Sequence, residues 1–176
     1  MEILAISYEV VDHTFPVIIA GGQDMGSNEL DIVEVSDNNT YCKVDRLPMK
    51  IYRCEGIDGM ICGGMTFGYL EQYDPVSNCW HLHPNGTWTS GKHMLEKRTY
   101  FSLNKVKDGI IAIGGQSMFG RCISSVEKYS LSNVEGWTWM RDAPINICLH
   151  CTVTINSSHL LVIGGTQNYL VNAGEH

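Results

Sequence analysis

Four short apolar runs along the chain each end in a glycine pair: VIIAGG at Val17–Gly22, GMICGG at Gly59–Gly64, IIAIGG at Ile110–Gly115 and LLVIGG at Leu160–Gly165. The second glycines, Gly22, Gly64, Gly115 and Gly165, stand 42, 51 and 50 residues apart. A period of about 40–50 residues is the mark of a repeat architecture. After each pair comes a variable loop, then a segment that alternates apolar and polar residues. These segments are Asp31–Val35, Tyr69–Tyr73 and Ser125–Tyr129, and alternation of this kind predicts a strand with one buried face. Turn residues follow at 36–39, 74–78 and 132–133, and an aromatic opens the next strand at Tyr41, Trp88, and Trp137 or Trp139. A new strand then runs into a tight turn (Asp58-Gly59, Asp108-Gly109 or Asn156-Ser157) and returns as the next apolar-Gly-Gly run. Asp-Gly between apolar runs is a strong hairpin signal. The pattern predicts an all-β chain built from four-stranded antiparallel units, over approximately 1–48, 49–95, 96–144 and 145–176, the last incomplete. No segment carries helical periodicity with caps.

The pattern resembles the kelch repeat, whose marks are a double glycine after an apolar strand, then a Tyr, then a Trp. The matching positions are Gly63, Gly64, Tyr73 and Trp80 or Trp88 in the second unit. In the third they are Gly114, Gly115, Tyr129 and Trp137 or Trp139, with Trp88 and Trp139 preferred. The first unit has Gly21 and Gly22 but Val35 and Tyr41 in place of the aromatics, and the fourth stops soon after Gly164 and Gly165. The resemblance implies a β-propeller, in which four-stranded blades stack around an axis. In that setting glycine lets backbones approach closely, and Tyr and Trp fill the widening space between blades. About three and a half units fall short of the 4–8 blades of a closed ring. The chain is therefore expected to be part of a larger propeller, and to self-associate or be completed by further blades.

Composition narrows the function. Twelve Lys and Arg against nineteen Asp and Glu leave a net charge of −7, which argues against nucleic-acid binding. No apolar stretch approaches the roughly 20 residues of a membrane-spanning helix, so no membrane insertion is expected. Seven cysteines and three N-x-[ST] sequons, at Asn38, Asn85 and Asn156, favour an extracellular or secreted glycoprotein with disulfides over a cytoplasmic one. Cys42, Cys54 and Cys62 are the candidates for bridges.

Cys79-x-His81-x-His83, and Cys148-x-x-Cys151 around His150, have the look of zinc ligands. A strand would nevertheless put Cys148 and Cys151 on opposite faces, and no second C-x-x-C accompanies them. The G-G-x-x-x-G at Gly21–Gly26 lacks the G-K-[ST] of a phosphate loop, and no nucleophile motif occurs. The expectation is a non-enzymatic protein-binding scaffold with no cofactor and no metal. Its binding surface is the propeller rim: Met25, Lys50, Tyr52, Arg53, Met65, Phe67, Arg98, Met118, Phe119 and Arg121. Aromatic, Met and Arg side chains are enriched at interface cores, and the Arg residues suit an acidic peptide ligand. Two alternatives carry different chemistry. One is a kelch-containing copper oxidase, which needs Tyr and His ligands and a Tyr–Cys crosslink. The other is the substrate-recognition part of a BTB-kelch ubiquitin-ligase adaptor.

Overall fold

The computed structural model describes residues 17–22, 31–37, 40–67, 73–83, 85–131, 136–156 and 159–167. Those residues contain fifteen strands and no helix. The first sheet has β1 (Val17–Ala20), β2 (Ile32–Asp37) and β3 (Thr40–Arg46), in that order. The second holds β4 (Glu55–Ile57), β5 (Met60–Cys62), β8 (Cys79–Leu82) and β9 (Trp88–Ser90). A separate hairpin, β6 (Met65–Phe67) and β7 (Tyr73–Pro75), stands between β5 and β8. The third sheet runs β10 (Ser102–Val106), β11 (Gly109–Ile113), β12 (Val126–Ser130) and β13 (Trp137–Trp139). The fourth comprises β14 (Cys148–Asn156) and β15 (His159–Thr166). Every pairing within these sheets is antiparallel.

The apolar-Gly-Gly runs form β1, β5, β11 and β15, each the return strand that its pattern predicts. Asp58 and Gly59 both adopt positive φ in the two-residue loop between the paired residues Ile57 and Met60, as a type I′ hairpin turn requires. One strand falls elsewhere. The third strand of the second sheet is Cys79–Leu82, whose Trp80 lies opposite Ile61, whereas Tyr73 belongs to the β6–β7 hairpin. An inserted hairpin of this length moves the aromatic strand along the chain while the diglycine period stays nearly intact.

The first strands of successive sheets lie side by side, β4 against β10 and β10 against β14. One core fills the space between the second and third sheets: Met60, Cys62, Cys79, Met94, Phe101, Leu103, Ile110, Ala112 and Trp137. A second, with Leu47, Ile51, Cys54, Ile61, Val76 and Trp80, lies on the opposite face of β5. Alternation explains this two-sided burial, because Met60 and Cys62 point one way and Ile61 the other.

The diglycines make the step from sheet to sheet. The second glycine of each of the first three pairs donates its N–H across to the lead-in of the next unit: Gly22 to the Ile51 carbonyl at 2.8 Å, Gly64 to that of Arg98 at 2.9 Å, and Gly115 to that of Ile147 at 2.8 Å. A side chain has no room there. A Cβ on Gly63, at φ 62°, would come within 2.6 Å of the Phe101 ring and 2.7 Å of the Arg98 carbonyl oxygen. A Cβ on Gly164, at φ 70°, would meet nothing within 4 Å.

Two disulfides are present among the described residues. Cys62–Cys79 joins directly opposed residues of β5 and β8, and Cys122–Cys148 ties the loop after β11 to β14. Of the three cysteines expected to bridge, Cys62 does so. Cys54 is a buried thiol, which burial pushes up to about 12. The Cys42 side chain lies outside the described residues. Spacing could not reveal these partners, because each is set by strand register across the sheet or by the neighbouring sheet.

Candidate rim site and inter-sheet clamp

The second, third and fourth units each enter their first strand through one non-glycine residue at positive φ: Arg53 (57°), Tyr100 (54°) and Leu149 (58°). The residue before each pairs with the segment after the local diglycine, Tyr52 with Met65, Thr99 with Gln116 and Cys148 with Thr166. This repeated geometry brings several expected rim residues together. The Arg53 guanidinium lies 4.9 Å from the centre of the Tyr52 ring and 4.5 Å from that of Tyr100. One of its nitrogens reaches Met65 Sδ at 3.7 Å. Contact with two rings restrains the guanidinium and leaves the donors other than the one on Met65 for a ligand. Among the described residues no carboxylate forms an ion pair with Arg53.

The loop after the third diglycine connects to this cluster. Thr99 Oγ1 donates to the Arg53 carbonyl at 3.3 Å. Thr99 and Gln116 exchange backbone bonds, and the buried Gln116 side chain donates to the Gly120 carbonyl at 2.8 Å. With Ser117 N–H bonded to the Arg121 carbonyl, the turn is held in one shape. It presents Phe119, 80% exposed, beside Met118 and an exposed Arg121. Lys50 is exposed in the lead-in to the second unit. Phe67 ends β6, and neither its side chain nor that of Tyr73 is among those described. Met25 and Asn38 lie outside the described residues.

Arg98 requires correction. It was expected at the rim, yet its side chain and that of Glu127 are both 0% exposed, and they pair at 2.5 Å. Arg98 also donates to the carbonyls of Gly114 (2.7 Å) and Ser125 (3.0 Å). Glu127 accepts the backbone N–H groups of Leu95 (2.6 Å) and Glu96 (3.0 Å). Because the Arg98 carbonyl receives the Gly64 N–H, one residue grips the second sheet with its backbone and the third with its side chain. Register shows what this replaces. Ile51 and Ile147 occupy the Arg98 position at the other steps, and Trp80 occupies the Glu127 position in the second sheet. Glu127 went unnoticed because a charged residue in an alternating strand reads as solvent-facing. Aligning Arg98 with the two isoleucines was the available signal.

The aromatic wedges are distributed unevenly. Trp137 is buried, and its indole N–H donates to the Lys92 carbonyl at 3.0 Å, while Trp139 is 55% exposed. Tyr129 lies 5.4 Å from Trp137 and 6.1 Å from His81 of the second sheet, ring centre to ring centre. Trp88 packs, half-buried, on the second core. Burial, and secondarily His83, lowers the His81 pKa. Cys79, once a candidate metal ligand, is committed to its disulfide, and His83 Nε2 bonds Thr89 Oγ1 at 2.7 Å. Cys148 is buried and Cys151 exposed, on opposite faces of β14. Asn85 is exposed, and its side-chain oxygen accepts the Thr87 N–H (3.1 Å) and hydroxyl (2.7 Å). Asn156 is also exposed.

An all-β stack of antiparallel sheets with converging first strands and a diglycine at each step is a partial kelch-type β-propeller. No protein-family model matches the chain. It is similar to Kelch-like protein 31 of Danio rerio, with 32% identity over 106 aligned positions covering 56% of this chain. The chain spans 16% of that relative's length.

Proposed function

We propose that this chain is a non-enzymatic protein-binding scaffold, part of a larger propeller whose modules are the units 1–48, 49–95, 96–144 and 145–176. Each of the four sheets lies inside one of those ranges. The partner engages the rim, with Arg53, Met65, Met118, Phe119 and Arg121 as the contact set and Lys50 at its border; Tyr52, expected there too, is only 5% exposed and backs Arg53 from beneath. The carrying observation is the Arg53 guanidinium, stacked between two tyrosines and lacking a carboxylate among the described residues. A charge held ready in this way favours an acidic peptide. The likeness to a kelch-like protein supports a scaffold reading. Selection from a displayed library of Asp- and Glu-rich peptides is the test. Enriched peptides should bind Arg53→Ala about tenfold or more weakly, the worth of a charge-assisted hydrogen bond. No enrichment, or equal binding by that variant, would refute the proposal.

The outer face of the fourth sheet carries the self-association part of this reading. Val153, Ile155, Leu161 and Ile163 are 47–62% exposed on β14 and β15, as an apolar face without its neighbour would be. Light scattering should find oligomers that Leu161→Lys/Ile163→Lys dissolves. The two disulfides support an oxidising compartment. Glycans at Asn85 and Asn156 would appear as a mass loss on enzymatic deglycosylation of protein from its native source.

A further inference from the structure

The seam between the third and fourth sheets is lined by polar contacts, where the seam between the second and third holds an apolar core beside the Arg98–Glu127 pair. Along it, Ser102 Oγ meets His150 Nε2 at 3.1 Å, Asn104 donates to the Thr152 hydroxyl, and the Thr154 hydroxyl donates to the Lys105 carbonyl at 3.1 Å. His150 occupies the middle of the docked edge. It is 6% exposed, and a Cβ on Gly114 would lie 3.1 Å from its ring. Its other nitrogen, Nδ1, is buried without a hydrogen-bond partner. A neutral imidazole tolerates this, because one of its two nitrogens needs no donor role. A protonated imidazole does not, because both nitrogens then carry protons and Nδ1 has nowhere to place its own.

Among the described residues no counter-charge faces the ring to offset that cost. On β10 the charged residue is Lys105, whose ammonium pairs with Asp58 at 2.6 Å. β11 carries none. Arg98, the nearest charge in the lead-in, is cationic and bound to the Gly114 carbonyl. In the loop after β11 the charge is Arg121, and Cys122 is tied to Cys148. β14 itself adds the Cys151 thiol, and β15 adds His159, which bonds Asn156.

We infer that His150 makes the docking of the fourth sheet on the third acid-sensitive, protonation of its imidazole loosening β14 and β15 from β10 while the Cys122–Cys148 disulfide keeps the hairpin tethered. Burial lowers the His150 pKa, as expected for a ring that resists the proton here. Loosening uncovers Ser102 and Asn104 and frees the whole hairpin to move. The device therefore couples the exposure of one sheet face to the acidity of the surroundings.

The test is hydrogen exchange on the intact, oxidised chain at pH 7.5 and at pH 5.5, corrected for intrinsic rates. Exchange of β14 amides should rise as pH falls below the ordinary histidine value of about 6.5, by up to about tenfold per pH unit, and level off once pH passes the lowered pKa of the docked state. The β11 and β12 amides should hold their protection. His150→Gln, which keeps a neutral donor and acceptor, should remove the pH dependence. Ser102→Ala, which removes the partner of Nε2 and keeps the titrating ring, should retain it. Unchanged β14 protection in the wild-type chain, or an equal loss in His150→Gln, would overturn the inference. A loss spread evenly over β11 and β12 would do so as well. Because none of these readouts involves rim binding, failure here leaves the scaffold proposal standing.

Discussion

Two faces of the molecule are built from equivalent residues and meet opposite fates. On the second sheet, Met60 and Cys62 lead into Gly63-Gly64 and face the third sheet, 2% and 0% exposed. On the fourth, Leu161 and Ile163 hold the same places before Gly164-Gly165 and are 47% and 50% exposed. The apolar-Gly-Gly pattern and the positive φ of both glycines are alike, so local sequence is not what separates them. What differs is the next sheet. A propeller unit is only half a fold, since its apolar face gains stability when a neighbour removes it from water.

The largest expected effect lies at the clamp of the covered interface. Glu127→Ala leaves the buried Arg98 charge with only the more distant, partly exposed Glu96 carboxylate at 3.8 Å, and should cost about 3–5 kcal/mol in urea unfolding. Replacing both residues with methionine should cost less than Glu127→Ala, because no charge is left buried alone, although the Leu95 and Glu96 N–H groups and the Gly114 and Ser125 carbonyls lose their partners. An equally severe loss in the double variant would show that these hydrogen bonds, not the charge pairing, dominate the clamp.

Next comes the direct comparison of the two faces. Met60→Ala empties a filled core and should cost about 2–5 kcal/mol. Leu161→Ala should stay within about 1 kcal/mol of wild type, because its side chain is half in water already. Equal costs would show that the fourth sheet is covered in solution.

A smaller effect belongs to Glu55 on β4, whose carboxyl burial raises to about 7 from 4.5. Between those values the folded chain holds a proton that the unfolded chain has released. This contribution to stability therefore falls as pH rises through that window and levels off above about 7. Glu55→Gln should match wild type near pH 4.5 and exceed it at pH 8, read as urea midpoints. A constant difference between the two proteins across that range would remove the argument.

The framework of this fold was legible in sequence because its signals are local. Apolar-Gly-Gly runs and Asp-Gly turns act within a few residues, and they mark β1, β5, β11, β15 and the Asp58-Gly59 hairpin. What escaped depends on partners far along the chain. Arg98 read as a rim residue because Glu127, 29 positions on, is invisible from its neighbourhood. Tyr73 read as part of the sheet because an inserted hairpin preserves the repeat spacing while changing which strand pairs. Trp137 and Trp139 alternate onto the same side of β13, and only the packed structure shows that cover ends between them. The rim cluster was half legible. Its loop positions mark Tyr52, Arg53 and Met65, but the contact with Tyr100 arises from two units meeting.

The central claim is that each diglycine serves as a contact point for the following sheet, with the fourth still vacant. Equilibrium unfolding of Gly63→Ala beside Gly164→Ala tests it most directly. Both variants bear the strain of alanine at positive φ, about 1–2 kcal/mol. Gly63→Ala must also displace the Phe101 ring and the Arg98 carbonyl, so it should lose several kcal/mol more than Gly164→Ala. Equal losses in the two variants would contradict the account.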